Sequence, residues 1–307
     1  MSTPSIFVSI ASYRDPECQW TVRDVFDKAA YPERIFVGIC WQRVLPDDAA
    51  CFTIPPPRPA QTRVIEYDAM QSLGACWAKH QANQLYRGED YWLMIDSHMR
   101  FEPGWDAAMI EMLRETGAVR PLLTSYPAAY TPPDQLKPST SHLAAKAFHE
   151  RTGILHLQGI AKPFERPLRT AFIAGGFVFA PAEFFLTVPV DPHLYFYGEE
   201  ITFAVRAFTH GWDAYSPHRC VIYHYYGRQT LPKHWSDHTQ WHVLEQRSVK
   251  RVKHLLGVVS ADDPEVLVEL DRYGLGTRRS LTAYQAFSGI DFTAQTIAPF
   301  AIQGQFE

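Results

Sequence analysis

Short apolar runs alternate with helix-spaced segments through the first third of the chain. SIFVSIAS (5–12), RIFVGICWQ (34–42), RVIEYD (63–68) and YWLMID (91–96) are rich in β-branched and aromatic residues, which suits buried strands. Between them, PECQWTVRDVFDKAA (16–30) opens on Pro16 and Glu17. SLGACWAKHQANQLYRG (72–88) spaces its apolar residues for a helix and stops at Gly88. Apolar strands joined through helices predict an α/β domain: a mainly parallel sheet flanked by helices on both faces.

FIAGGFVFAPAEFF (172–185) predicts a strand and then a proline-started helix. YGEEITFAVRAFTHG (197–211) predicts a helix, with acidic residues in its first turn and Gly211 as its C-terminal stop. HRCVIYHYYG (218–227) reads as one more strand, and from about residue 229 the sequence turns polar and helical. A catalytic unit over 1–228 and a mainly helical C-terminal region over 229–307 are expected. PDDAACFTIPPPRPAQ (46–61) and SYPAAYTPPDQLKPSTS (125–141) read as irregular segments, and long loops often act as lids or binding loops.

The fourth strand ends in unlike chemistry. After YWLMID the chain places Ser97 and His98, so Asp96 and His98 stand one residue apart where an apolar strand stops. In open α/β sheets, ligands bind beyond the carboxyl ends of the strands. If the backbone stays extended, both side chains point the same way and form a two-point claw for a divalent cation. An oxygen–nitrogen set suits Mn²⁺ and tolerates Mg²⁺ less well. The plain alternative has Asp96 capping a turn and His98 stacking under Trp105.

Charge narrows the classes. The net charge is -4 with 20% charged residues, so neither nucleic acid nor an anionic membrane is an expected partner. No stretch is long and apolar enough to span a membrane, and the first apolar run reads as a strand, not a leader. The five cysteines are scattered without a C-x-x-C pair, which fits a reduced, cytoplasmic chain.

SLGACWAKHQANQLYRGEDYWLMIDSHMRF (72–101) resembles a unit of nucleotide-sugar glycosyltransferases of the GT-A fold, a Rossmann-like sheet with a D-x-D or D-x-H signature ending a strand. More narrowly, IDSHMRFEPGWD, GEEITFAVRAFTHGWDAYSP, HYYGR and YGLGTRRSLTAYQAFSGIDF resemble the polypeptide α-N-acetylglucosaminyltransferases that modify hydroxyproline. That resemblance covers most of the chain. It implies a metal-dependent transferase that moves GlcNAc, or a related sugar, from a UDP-sugar donor to a hydroxyl on a protein or saccharide, with retention. An inverting enzyme acting on a saccharide, and a non-catalytic sugar-nucleotide-binding or glycan-binding module, are the alternatives.

The resemblance also implies roles. Asp96 and His98 would hold the metal, Mn²⁺ or else Mg²⁺, with His224 as third ligand and His218 in reserve. Ser12, Tyr13, Arg14 and Asp15, together with Gln42, would meet uracil and ribose. Lys79 stands where the family usually has arginine, and with Arg228 it would reach the diphosphate, though without the bidentate fork. Ser97, Gly175 and Gly176 would line the nucleotide-sugar pocket. Glu200, with Glu199 as alternate, would position the sugar or acceptor; in an inverting enzyme one of them would be the base. Acidic residues also simply suit a helix start.

Two features remain outside that picture. His234, His238 and His242 recur every fourth residue and would form a zinc-binding stripe on a continuous helix, but no H-E-x-x-H accompanies them. SGIDF (288–292) matches the family without an evident chemical role, and Asp291 either binds substrate or caps the tail.

Overall fold

The computed structural model describes residues 4–306. Its centre is an eight-stranded sheet. The strands β1 (Ile6–Tyr13), β2 (Ile35–Arg43), β3 (Thr62–Asp68) and β4 (Tyr91–Asp96) pair in parallel in the order β4-β1-β2-β3. Helix α1 (Cys18–Asp27) connects the first two strands, and α2 (Ala75–Asn83) precedes the fourth. A short strand β5 (Met99–Phe101), helix α3 (Trp105–Glu115) and β6 (Pro121–Thr124) follow. β6 joins the main sheet; β5 does not.

The segment 125–141, expected to be irregular, instead forms β7 (Ala128–Thr131) and β8 (Gln135–Lys137), which pair antiparallel. The prolines at 132 and 133 mark only the turn between them, a position that tolerates a missing donor. β9 (Ser141–Phe148) and β10 (Leu155–Ala161) form a separate hairpin, and β11 (Leu168–Thr170) lies at one edge of the main sheet.

β12 (Phe177–Pro181) is shorter than its apolar run predicts, because the chain before it loops past the sheet. It runs antiparallel to β4, pairing Phe177 with Ile95. Its first residues therefore stand at the carboxyl end of β4, and Gly176 is brought against Asp96. After α4 (Glu183–Thr187) and α5 (Glu199–Thr209), β13 (Asp213–Ser216) pairs parallel with β6, and β14 (Ile222–His224) pairs antiparallel with β5. The expected strand over 218–227 thus contracts to three residues of a second, four-stranded sheet, β5-β14-β7-β8.

Beyond it lie α6 (His234–Asp237), α7 (Trp241–Leu255), α8 (Leu270–Tyr273), α9 (Leu281–Ser288), the short pair β15 (Ile290–Asp291) and β16 (Thr296–Ile297), and α10 (Pro299–Ile302).

Alternation along the strands explains the two cores. Phe7, Trp92, Met94 and Val178 pack with Cys76 of α2, with α5, and with Val252, Tyr284 and Phe306 of the C-terminal region. Val8, Ile10, Leu93 and Ile95 pack with Val22 and Phe26 of α1 and Trp105 and Met109 of α3. Burying one such side chain contributes about 1.5–3 kcal/mol. The sheet is covered on both faces, as a mainly parallel sheet requires. α2 is preceded by Gly74 as its N-cap and ends at Asn83, short of the expected Gly88. Gly74 has φ +115°, and an added Cβ would lie 2.6 Å from the Tyr195 ring. No helix of the described residues is long and apolar enough to cross a membrane.

Candidate active site

β4 stops at Asp96 and the chain bends through Ser97 and His98 before β5. It does not continue extended, yet both side chains face one centre. The β5–β14 pairing sets His224 opposite Met99 and so beside His98. His224 Nε2 lies 3.2 Å from Asp96 Oδ2 and 3.0 Å from His98 Nε2. The ligand atoms of Asp96, His98 and His224 all lie within 4.8 Å of one another, the one such group of three among the described residues.

His98 is held from behind. Its Nδ1 lies 2.8 Å from Asp15 Oδ2, and Asp15 also accepts from Ser97 Oγ at 2.5 Å and from Arg228 at 3.1 Å. Burial opposes the Asp15 charge, but His98, Arg228 and Ser97 outweigh it and bring its pKa down to about 2. A neutral His98 donating Nδ1–H to that carboxylate turns the lone pair of Nε2 towards His224. Carboxylate–histidine pairs of this kind orient metal ligands. One carboxylate oxygen and two imidazole nitrogens converging in a half-buried corner fit a divalent ion of the Mn²⁺ type.

Two cavities, of about 340 and 350 Å³, share this corner: Asp96, His224 and Lys79 line both. The first lies beyond the ends of β1 and β2 and is lined by Tyr13, Gln42, Ser97, Arg228 and His234. The second is lined by Gly175, Gly176, Glu199, Glu200, Tyr126 and Tyr197. A Cβ on Gly176 would lie 2.5 Å from Asp96 Oδ2, so only glycine lets the loop pass the carboxylate this closely.

The chain matches the model of the glycosyltransferase (GlcNAc) family over residues 5–56 and 55–294. The chain belongs to this family. A crystal structure of GalNAc-T7 with UDP, GalNAc and Mn²⁺ superposes with a TM-score of 0.60 at 14% identity, covering 93% of this chain and 57% of that one. This glycosyltransferase therefore spans little more than half of the GalNAc-T7 chain. S. aureus TarS 1-349 in complex with UDP-GlcNAc superposes with a TM-score of 0.50 at 12% identity, covering 88% of this chain and 72% of that one. These likenesses establish the GT-A fold. No curated protein matches the chain.

Within the glycosyltransferase, several residues expected at the nucleotide are occupied otherwise. Lys79 is buried, and its ammonium donates to both Glu199 oxygens and to Gly175 O, each at 2.8 Å. Those bonds occupy its three donors, so a contact with a diphosphate would have to replace one of them. Gln42 lines the first cavity, but its amide donates to Ser12 O and accepts from Ser72 Oγ. Tyr13 and Arg14 both donate to Asp237 of α6, at 2.8 and 3.1 Å, and Arg14 also pairs with Asp48. Ser12, Arg14 and Asp15 do not line the cavity.

The acidic pair divides. Glu199 is neutralised by Lys79. Glu200 accepts from Gly175 N at 2.9 Å and from Tyr126 Oη at 2.8 Å, and burial raises its pKa. The sequence reading did not single out Tyr126, which lay in a stretch taken as loop. Ser72, Tyr195 and Lys233 also line the first cavity and were not anticipated.

The zinc stripe does not form. His234 belongs to α6 and His242 to α7, with a break between them. His234 bridges Tyr195 Oη (2.8 Å) and Ser72 O (3.0 Å), while His238 reaches Ala69 O (2.9 Å). These histidines dock α6 onto the loop before α2. His218 lies by Glu115, outside the metal cluster. Asp291 Oδ1 accepts from Thr293 N and Ala294 N, a local turn of the capping kind.

Proposed function

We propose that this glycosyltransferase moves GlcNAc from UDP-GlcNAc to a hydroxyl acceptor in a Mn²⁺-dependent reaction that retains the anomeric configuration. The observation that carries the reading is the convergence of Asp96, His98 and His224 on the wall between two cavities. One cavity suits a nucleotide beyond the strand ends. The other suits the transferred sugar and its acceptor.

Asp96, His98 and His224 would hold the ion, which when bound acts as a Lewis acid on the departing diphosphate. Asp15 fixes the His98 tautomer and, through its ion pair, sets the Arg228 guanidinium at the rim of the nucleotide cavity. Lys233 lines the same rim. These two cations would attract the diphosphate. Lys79 acts one step back, holding Glu199 and the Gly175 carbonyl in place. Glu200 keeps both oxygens engaged with Tyr126 and Gly175. It is thus a group that orients a sugar or acceptor hydroxyl, which supports retention over a reaction needing a free base.

The C-terminal region from about 229 supplies one wall of the nucleotide cavity through His234 and Trp235. The five cysteines are unpaired, which supports a reducing, cytoplasmic setting. The test is UDP release from a panel of UDP-sugars with Mn²⁺, followed by NMR of the product's anomeric centre. UDP-GlcNAc as best donor with an α-linked product supports the proposal. No UDP release from any donor sinks it.

A further inference from the structure

Exposed rings gather at this cleft. Phe196, Tyr197, Tyr226 and Trp235 are 44%, 44%, 50% and 45% exposed, and all four line the two cavities. Rings held half in water beside a polar centre mark a surface that awaits a partly apolar ligand.

In the second cavity the rings are ordered. Tyr197 stacks on His156 of β10 at 5.8 Å and 10°, and lies 25° from the His149 ring at 6.2 Å. Phe196 meets Tyr197 edge-on at 5.4 Å and 79°, and Trp235 lies 5.9 Å beyond Phe196. The result is a ledge running from the β9–β10 hairpin to α6. Hydrogen-bonding side chains surround it: Lys146, Tyr126 and Glu200 line the same cavity, and His156 Nε2 has no partner.

We infer that the second cavity is an acceptor subsite for a saccharide, with Tyr197 as its stacking platform. The inference rests on the transferase reading and names the class of molecule that receives the sugar. A pyranose has a face of C–H groups, weakly positive, and a rim of hydroxyls. The negative face of an aromatic ring matches the first, and the side chains around Tyr197 match the second. An extended peptide would instead be held through its backbone amides along a strand edge. The hydrogen-bonding groups named beside Tyr197, on Lys146, Tyr126, Glu200 and His156, are side chains; the free edge of β10 also borders this cavity, and the peptide arm of the test reads it. Asp96 and His224 line the same cavity, which sets the candidate metal corner beside the ledge.

The test needs no donor. Saturation-transfer NMR is recorded with methyl glycosides and disaccharides, and in parallel with serine, threonine and hydroxyproline peptides. Saccharides should bind through ring C–H protons. Tyr197→Ala should weaken that binding about tenfold, while Tyr197→Phe, which keeps the ring, should bind as wild type does. Binding of peptides alone, or unchanged saccharide affinity in Tyr197→Ala, overturns the assignment. Because UDP release is read separately, failure of the acceptor assignment and failure of the transferase reading are distinguishable.

Discussion

His98 Nε2 and His224 Nε2 face each other across 3.0 Å. With Nδ1 of His98 committed to Asp15, two imidazole edges and the Asp96 carboxylate crowd one point that a cation would satisfy. Asp15 is thus part of the site although it lies outside both cavities. Asp15→Asn keeps the shape and removes the charge that orients His98. It should weaken Mn²⁺ binding roughly 10–100-fold, read by calorimetric titration. Wild-type affinity in that variant would remove Asp15 from the site.

Gly176→Ala should act through Asp96. The added methyl meets Oδ2 at 2.5 Å, so either the loop or the carboxylate must move. The overpacking should cost about 1–3 kcal/mol of stability and reduce Mn²⁺ affinity at least tenfold. Thermal unfolding and metal titration of the same sample check both. A variant that binds Mn²⁺ normally would show that the loop, not Asp96, gives way.

The Lys79–Glu199 pair is buried on both sides, at 7% and 8% side-chain exposure. Lys79→Met strands the carboxylate and should cost about 3–5 kcal/mol. Adding Glu199→Gln should recover much of that loss, and a urea denaturation cycle over the four proteins measures the coupling. Additive losses would mean that the pair contributes nothing.

Glu245 on α7 is buried, and burial, partly offset by the Tyr197 backbone N–H, raises its pKa to about 7. A carboxyl raised above its unfolded value near 4.5 stabilises the fold fully below that value. The contribution is lost as pH rises through about 7, amounting to about 3 kcal/mol. His142, whose pKa burial lowers to about 4, has the opposite slope below 6.5. The prediction is therefore on the difference: Glu245→Gln and wild type should match near pH 4, and the variant should gain stability up to pH 8. A constant difference across that range would contradict it.

What could be read from the sequence follows the range of the interactions. The parallel strands were legible because both their faces are apolar, and Asp96 with His98 because one strand end carries them both. His224 became a candidate only through resemblance, since it meets His98 across 126 positions through the β5–β14 pairing. The Asp15–His98 contact spans 83 and the Lys79–Glu199 contact 120, so neither leaves a local pattern. Read locally, Lys79 suggests a phosphate ligand and Asp15 a nucleotide contact, and neither stretch shows the partner the fold supplies. The histidine stripe arose as an alternative for the converse reason: its four-residue spacing is helical, but the chain breaks after α6, and His234 and His238 find carbonyl or hydroxyl partners. SHLAAKAF and ILHLQGIA alternate too weakly to announce the β9–β10 hairpin, which supplies the wall of the second cavity.

The most direct test is a crystal grown with UDP-GlcNAc and Mn²⁺, with anomalous data collected at the manganese edge. The account predicts one strong peak ligated by Asp96, His98 and His224, with the diphosphate on its open side and uracil in the cavity beyond β1 and β2. A manganese peak elsewhere, or a nucleotide bound with those three side chains turned away from it, would contradict it.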